Sequence, residues 1–88
     1  MGSPAAAQPK RGKSPEAAFG KVLKTFRSKR ALSQDELAHR SGYHRTYISQ
    51  LERGEKSPSL RTIVNLAVTL KVKPSALLRE VERLLRGR

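Results

Sequence analysis

Two glycines divide residues 33–54 into two short runs, and this division constrains the fold more than any other feature of the sequence. A glycine just past a short helix adopts a left-handed conformation without steric penalty, so we predict that helices end at Gly42 and Gly54. Ser33 and Glu36 have the spacing of a capping box, in which each side chain satisfies a backbone amide at a helix start. The segment therefore predicts two short, tightly connected helices.

The flanking sequence predicts three further helices. Ser14 can cap a helix over about residues 15 to 30, where apolar residues recur at helical spacing. After a turn at residues 57–59, a broad apolar face predicts a mostly buried helix that begins near residue 60. A last helix over about residues 74 to 86 carries an apolar stripe. No strand pattern is present, so we predict an all-α fold: a compact bundle of five short helices in which helices 2 and 3 form a helix-turn-helix.

The charge of the chain points to a polyanionic partner. The formal net charge is +12, with 19 basic and seven acidic side chains, which is more than solubility requires. Nucleic acid is the leading partner and an anionic membrane surface is the rival. The length of 88 residues suits one small domain, and the absence of cysteine excludes disulfides and thiolate metal sites.

Other classes of site find little support in the sequence. His39 and His44 are five residues apart and do not share a helix face, so we expect no metal and no other cofactor. There is no nucleophile motif, phosphate-binding glycine loop or paired carboxylate cleft, so we expect neither an enzyme nor a small-molecule ligand. No stretch is apolar enough to span a bilayer or to serve as a signal peptide, so we expect a soluble cytoplasmic protein without a membrane partner.

Residues 1–13 differ in composition from the rest of the chain. They hold two prolines and two glycines and lack the apolar side chains of a core, so we predict a flexible basic arm that precedes a domain over residues 14–88. Lys10, Arg11 and Lys13 of this arm either keep the protein soluble or follow DNA phosphates and the minor groove.

The second helix of the pair combines an apolar inner face with a polar outer face. Ile48 and Leu51 are expected to face inward, and the small Ala38 lets the two helices cross closely. The side chains left facing outward are those of Arg45, Thr46, Ser49, Gln50 and Arg53. Arginine suits guanine, glutamine suits adenine and a threonine methyl suits thymine, so this face is typical of major-groove recognition. The alternative is an ordinary solvated helix face.

A group of residues between 33 and 70 carries a family resemblance. Its members are Ser33, Gln34, Glu36, Leu37, Ala38, Gly42, Ile48, Ser49, Leu51, Glu52, Arg53, Gly54, Pro58, Ser59, Leu60, Leu66 and Ala67. In combination they resemble the phage repressor and Cro-like helix-turn-helix family, also called the XRE family. The resemblance implies a lambda-repressor-like fold that binds double-stranded DNA.

The resemblance also implies roles for individual positions. It assigns base reading to Arg45, Thr46, Ser49 and Gln50, and phosphate binding to Gln34, Tyr43, His44, Arg53 and Lys56. It further implies a partly buried salt bridge between Arg27 and Glu52.

Two positions depart from the pattern of the family. His44 stands where a serine, threonine or aspartate usually caps helix 3, so it either caps poorly or contacts phosphate. Tyr47 stands where smaller residues are usual, and it either covers the edge of the groove or packs on helix 4.

The apolar stripe of helix 5 continues further than a small core requires. One reading is packing within the chain; the other is a symmetric homodimer in which Val81, Leu84 and Leu85 meet their copies. A homodimer suits a transcriptional regulator that binds a pseudo-palindromic operator, with repression as the simpler mechanism.

Alternative functions stay open on the sequence alone. The same fold suits a protein-interaction module, either an antitoxin or a bridging coactivator, whose main partner is another polypeptide. A basic amphipathic helix over residues 74–86 would also suit an anionic membrane surface. Restriction-modification controllers, phage switches, antitoxins and plasmid regulators all fit the resemblance, and the sequence does not choose among them.

Overall fold

The structure is a computed structural model that describes residues 14–87. Over this range it contains five α-helices and no strand. They are α1 Pro15–Lys29, α2 Gln34–Ser41, α3 Arg45–Glu52, α4 Leu60–Leu70 and α5 Pro74–Arg86. The predicted five-helix order is therefore confirmed. The predicted arm, with Lys10, Arg11 and Lys13, lies outside the described residues.

Local side-chain chemistry explains where most of the helices begin. The Ser14 hydroxyl oxygen accepts a hydrogen bond from the Ala17 amide at 3.0 Å, which caps α1. At α2 the capping box is complete: Ser33 Oγ accepts from the Glu36 amide at 3.0 Å, and the Ser33 amide donates to Glu36 Oε1 at 2.8 Å. This bond from the Ser33 backbone is the main reason that the pKa of Glu36 lies below its usual value. The first turns of α1 and α2 are thus specified locally.

The core lies where the five helices meet. Its fully buried large side chains are Leu23, Leu37, Ile48, Leu51, Leu66, Leu70 and Leu77. Helix α1 packs on α3 and α5, whereas α2 packs on α3 and α4. Gly20 allows α1 to approach the end of α3 closely, since a Cβ atom there would lie 2.5 Å from the carbonyl oxygens of both Leu51 and Glu52. The position of α3 therefore depends on the absence of a side chain in α1.

Helix α4 is more exposed than the sequence predicted. Leu60, Val64 and Val68 are 74%, 42% and 68% exposed, so the prediction of a mostly buried helix is wrong for its outer face. The reason is geometric: α4 packs on α2 and α5, and no described helix covers its other side. Its inner side chains, such as Leu66, are fully buried.

The stripe on α5 is used largely within the chain. Val81 is 8% exposed and belongs to the core. Its contact with a second copy, expected from the sequence, stays a prediction. Leu84 and Leu85 are partly buried and pack against the core. Leu84 also lines a groove of about 390 Å³ between α1 and α5, together with Phe26.

Candidate nucleic-acid interface

The turn between α2 and α3 is fixed by backbone geometry and by α4. Gly42 has φ +82°, the left-handed conformation predicted for it. The Tyr43 amide donates to the Ala38 carbonyl at 2.9 Å, which closes the end of α2. From α4, the Asn65 side-chain amide donates to the Ser41 carbonyl at 2.9 Å. Hydrogen bonds from within the turn and from α4 therefore both stabilise the connection between α2 and α3.

Helix α3 has the two faces that the sequence predicted. Ile48 and Leu51 are fully buried. On the other side, Arg45 and Thr46 are exposed, while Ser49 and Gln50 are half-buried. Arg45 and Ser49 are four residues apart, as are Thr46 and Gln50, so each pair lies on neighbouring turns of one surface. The structure thus brings the four predicted base-reading residues together.

An ion pair inside the protein holds this helix in place. The carboxylate of Glu52, at the end of α3, accepts hydrogen bonds from Arg27 Nε at 2.5 Å and from Arg27 Nη2 at 3.0 Å. The side chains of Arg27 and Glu52 are 12% and 4% exposed, and the hydrogen bond to Glu52 raises the pKa of Arg27. The salt bridge implied by the family resemblance is therefore present in the structure.

Gln34, at the start of α2, joins the same carboxylate. Its Nε2 atom donates to Glu52 Oε1 at 3.0 Å. Arg27 also donates through Nη1 to the Leu32 carbonyl at 2.8 Å, just before α2. Three segments are thus tied together: α1, the approach to α2 and the end of α3. Gln34 therefore helps to hold α3 in place, and its phosphate contact stays a prediction.

The two tyrosines of the turn pack against α4. The hydroxyl groups of Tyr43 and Tyr47 both lie 3.3 Å from Thr62 Oγ1, and their ring centroids are 5.1 Å apart. Of the two positions considered for Tyr47, the structure therefore shows packing on α4. Thr62 is itself held by Ser59, whose Oγ accepts from the Thr62 amide at 3.0 Å. Thr62 is a supporting residue that the sequence analysis missed, although the spacing of Ser59 and Thr62 is that of a helix cap.

His44 and Lys56 occupy exposed positions at the edges of this surface. His44 is the N-cap residue of α3 and makes no side-chain capping hydrogen bond there, which agrees with the poor cap considered from the sequence. Lys56 lies in the connection between α3 and α4. Both positions suit contact with a phosphate backbone on either side of α3.

Both outward-facing arginines are paired with carboxylates that the sequence analysis did not single out. Arg53 donates to Glu55 through Nε at 2.7 Å and Nη2 at 3.2 Å, while its Nη1 donates to Ser49 Oγ. These bonds lower the pKa of Glu55 and raise that of Arg53. Arg45 Nε lies 3.6 Å from Asp35 Oδ1. The surface of α3 therefore carries its own counterions.

Two further features are absent from the part of the chain that the structure describes. Residues 14–87 contain no group of three or more histidine, cysteine or acidic side chains that could hold a metal ion. Among the described helices, none has the length and apolar character needed to cross a membrane.

Comparison with known proteins agrees with this geometry. A family model described as helix-turn-helix, HTH_3, matches residues 23–77. The chain belongs to this helix-turn-helix family. The match includes all of α2, α3 and α4, and it confirms the resemblance noted for residues 33–70.

Individual members of the helix-turn-helix family are similar over most of the domain. The control protein C.BamHI of Bacillus amyloliquefaciens is 43% identical over 61 residues, which cover 68% of this chain and 75% of that protein. The crystal structure of the restriction-modification controller C.AhdI from Aeromonas hydrophila has a TM-score of 0.68 at 39% identity and covers 69% of this chain and 92% of its own. The clp gene regulator ClgR from C. glutamicum has a TM-score of 0.77 at 28% identity and covers 81% of this chain and 91% of its own. These similarities confirm the predicted fold class.

Proposed function

We propose that the protein is a transcriptional regulator that binds a specific site on double-stranded DNA and places α3 in the major groove. The observation that carries the proposal is the rigid presentation of Arg45, Thr46, Ser49 and Gln50 on the outer side of α3, which Glu52 anchors from within. An exposed α-helix fits the width of the major groove, and these side chains match the donors and acceptors of base edges. The net charge of +12 supplies the attraction to phosphate.

The proposed roles divide between discrimination and affinity. Arg45 and Gln50 carry most of the base discrimination, because both side chains form bidentate bonds to a purine. The proposed phosphate contacts are those of Gln34, Tyr43, His44, Arg53 and Lys56. Gln34 suits this role because its amide nitrogen has two N–H donors and Glu52 accepts a bond from one of them. Lys10, Arg11 and Lys13 of the arm add further attraction without discrimination.

We propose a homodimer as the binding species, because two copies related by a two-fold axis match a pseudo-palindromic operator. The exposed stripe of Leu60, Val64 and Val68 is the surface best suited to the contact. Self-association of a chain with charge +12 needs a face with little charge, and α4 carries a single charged residue, Arg61, among 11. Since Val81 is largely buried within the chain, we propose the stripe on α4 ahead of the contact predicted on α5, in which Val81, Leu84 and Leu85 meet their copies.

Two of the named relatives support one class of regulator. Both C.BamHI, a control protein, and C.AhdI, a restriction-modification controller, are about 40% identical to this chain. We therefore propose a controller of this kind, acting at a promoter that overlaps its operator. Repression by occlusion of the promoter is the simpler mechanism.

Selection of binding sites from a pool of random duplexes tests the proposal. The salt concentration should be near physiological, since lower salt strengthens non-specific attraction. We expect enrichment of an inverted repeat whose half-site centres are about 10 base pairs apart, one turn of the double helix. Tight, salt-sensitive binding without enrichment would contradict the proposal and favour the protein-interaction alternative, which co-purification of a second polypeptide would then support.

A further inference from the structure

Each of the two arginines on the outer side of the α3 region is engaged by an acidic side chain of the same chain. Arg53 forms a two-point contact with Glu55, and Arg45 forms an ion pair with Asp35. The chain has seven acidic residues against 19 basic ones, so acidic side chains are scarce. Two of the seven nevertheless lie at the surface proposed to meet DNA.

The contact between Arg53 and Glu55 occupies the donors that a phosphate would use. The planar guanidinium group presents parallel N–H donors that match two oxygens of a carboxylate or a phosphate equally well. Glu55 takes this position by accepting hydrogen bonds from Arg53 Nε at 2.7 Å and from Arg53 Nη2 at 3.2 Å. A DNA phosphate that binds this edge of Arg53 must displace the carboxylate, and the displaced charge still repels the phosphate.

Asp35 acts in the same way on Arg45. Its carboxylate lies in the first turn of α2, and both side chains of the pair are largely exposed, at 77% for Asp35 and 63% for Arg45. A base in the groove competes with Asp35 for Arg45. A guanine offers two acceptors that compensate for the lost ion pair, whereas a mismatched base does not.

We propose that Asp35 is a specificity-determining residue, which weakens binding to non-specific DNA more than binding to the operator, and that Glu55 lowers the affinity for every duplex alike. The inference rests on the proposed function, since it concerns discrimination at the same interface. Both carboxylates oppose every phosphate backbone, but only the exchange of Asp35 for a guanine at Arg45 depends on the base sequence. Exposed ion pairs are weak, so we expect each residue to change non-specific affinity by about two- to fivefold.

The test compares variants that raise the net charge by the same amount at different places. Asp35→Asn and Glu55→Gln remove the two carboxylates. Glu82→Gln is the matched control, because Glu82 is exposed on α5 and is paired with Arg86 at 3.9 Å. Dissociation constants are measured for the selected operator and for a scrambled duplex of the same length, at several salt concentrations. Circular dichroism confirms that each variant is folded.

We expect Asp35→Asn and Glu55→Gln to bind the scrambled duplex about two- to fivefold more tightly than Glu82→Gln does. For Asp35→Asn the change on the operator should be smaller, so the ratio of the two affinities falls. Glu55→Gln should tighten both duplexes alike and steepen the dependence of log affinity on log salt by up to about 0.9, because Glu55 no longer offsets the charge of Arg53 at its phosphate. Asp35→Glu keeps the charge and should keep the ratio.

The two possible failures are distinguishable. If the wild-type protein shows no preference among duplexes, the proposed function and this inference are both contradicted. If the wild type discriminates, and the ratio in Asp35→Asn equals that of Glu82→Gln, the inference alone is overturned. In that case the effect of Asp35 is no more than that of net charge.

Discussion

Glu52, the last residue of α3, is held by Arg27 of α1 through two hydrogen bonds, at 2.5 and 3.0 Å, in a largely buried ion pair. The same carboxylate accepts a bond from Gln34. The outer surface of α3 is thus positioned by a contact on its opposite side, and this contact also stabilises the packing of α1, α2 and α3.

Replacement of Glu52 with alanine should destabilise the protein strongly. The change leaves the largely buried charge of Arg27 without a counterion and removes the acceptor of Gln34, so we expect a loss of about 3 kcal/mol in the free energy of unfolding. Urea denaturation measures this loss. The double variant Arg27→Met, Glu52→Leu should recover much of it, because no charge is then left unpaired. A loss for Glu52→Ala as small as that for the exposed Glu82→Ala would contradict the account.

Two glycines should respond to alanine for different reasons. Alanine at an ordinary helical position is more stable than glycine, yet Gly20→Ala should lose about 1 to 3 kcal/mol, because its Cβ meets two carbonyl oxygens of α3. The Cβ of Gly42→Ala would meet no atom within 4 Å. Its loss of about 1 to 2 kcal/mol in the free energy of unfolding should therefore come from the positive φ alone. Thermal unfolding measures both losses. Only Gly20→Ala should also weaken operator binding after correction for the unfolded fraction, since it displaces α3.

The capping box should contribute to the pH dependence of stability. The pKa of Glu36 is lowered in the folded protein, so its contribution is present above the usual glutamate pKa near 4.5 and is lost as the pH falls through the lowered value. We expect Glu36→Gln to melt below the wild type by a constant interval at pH 6 to 8, and by a smaller interval at about pH 3. Melting temperatures across this range test the prediction. An interval that widens in acid would contradict it.

The exposed stripe on α4 should control self-association. Val68→Lys places a charge on the proposed dimer contact, so we expect it to sediment as a monomer at concentrations where the wild type is a dimer. Ser75→Lys adds the same charge at an exposed position of α5 and should leave the dimer intact. Leu85→Lys tests the alternative dimer contact on α5 that the sequence predicted. If Leu85→Lys dissociates the dimer and folded Val68→Lys does not, the dimer contact lies on α5 and the proposal for α4 is contradicted.

The helix bounds and the pattern of α3 could be predicted because their causes are local. Ser33, Glu36 and Gly42 specify the start and the end of α2 with hydrogen bonds and a backbone conformation that span a few residues. The burial of Ile48 follows from helical periodicity, and the family resemblance supplied the pairing of Arg27 with Glu52.

What the sequence could not reveal depends on how the helices pack. Apolar periodicity is the same for a face that meets the core and for one that meets solvent, so Val81 and Val68 were not distinguishable before the helices were placed. The pairing of Asp35 with Arg45 joins residues of two helices across the turn. The spacing of the two residues in the sequence and their helix propensities do not determine the distance between their side chains.

The affinities of Arg45→Ala and Gln50→Ala for two duplexes test the central claim most directly, namely that the outer face of α3 reads base pairs. Each variant is titrated against the selected operator and against a scrambled duplex at one salt concentration, with Lys56→Ala as the control for a phosphate contact. The account predicts a loss of about 1 to 3 kcal/mol on the operator with little change on the scrambled duplex, whereas Lys56→Ala should weaken both alike. Equal losses on both duplexes for Arg45→Ala and Gln50→Ala would contradict the claim.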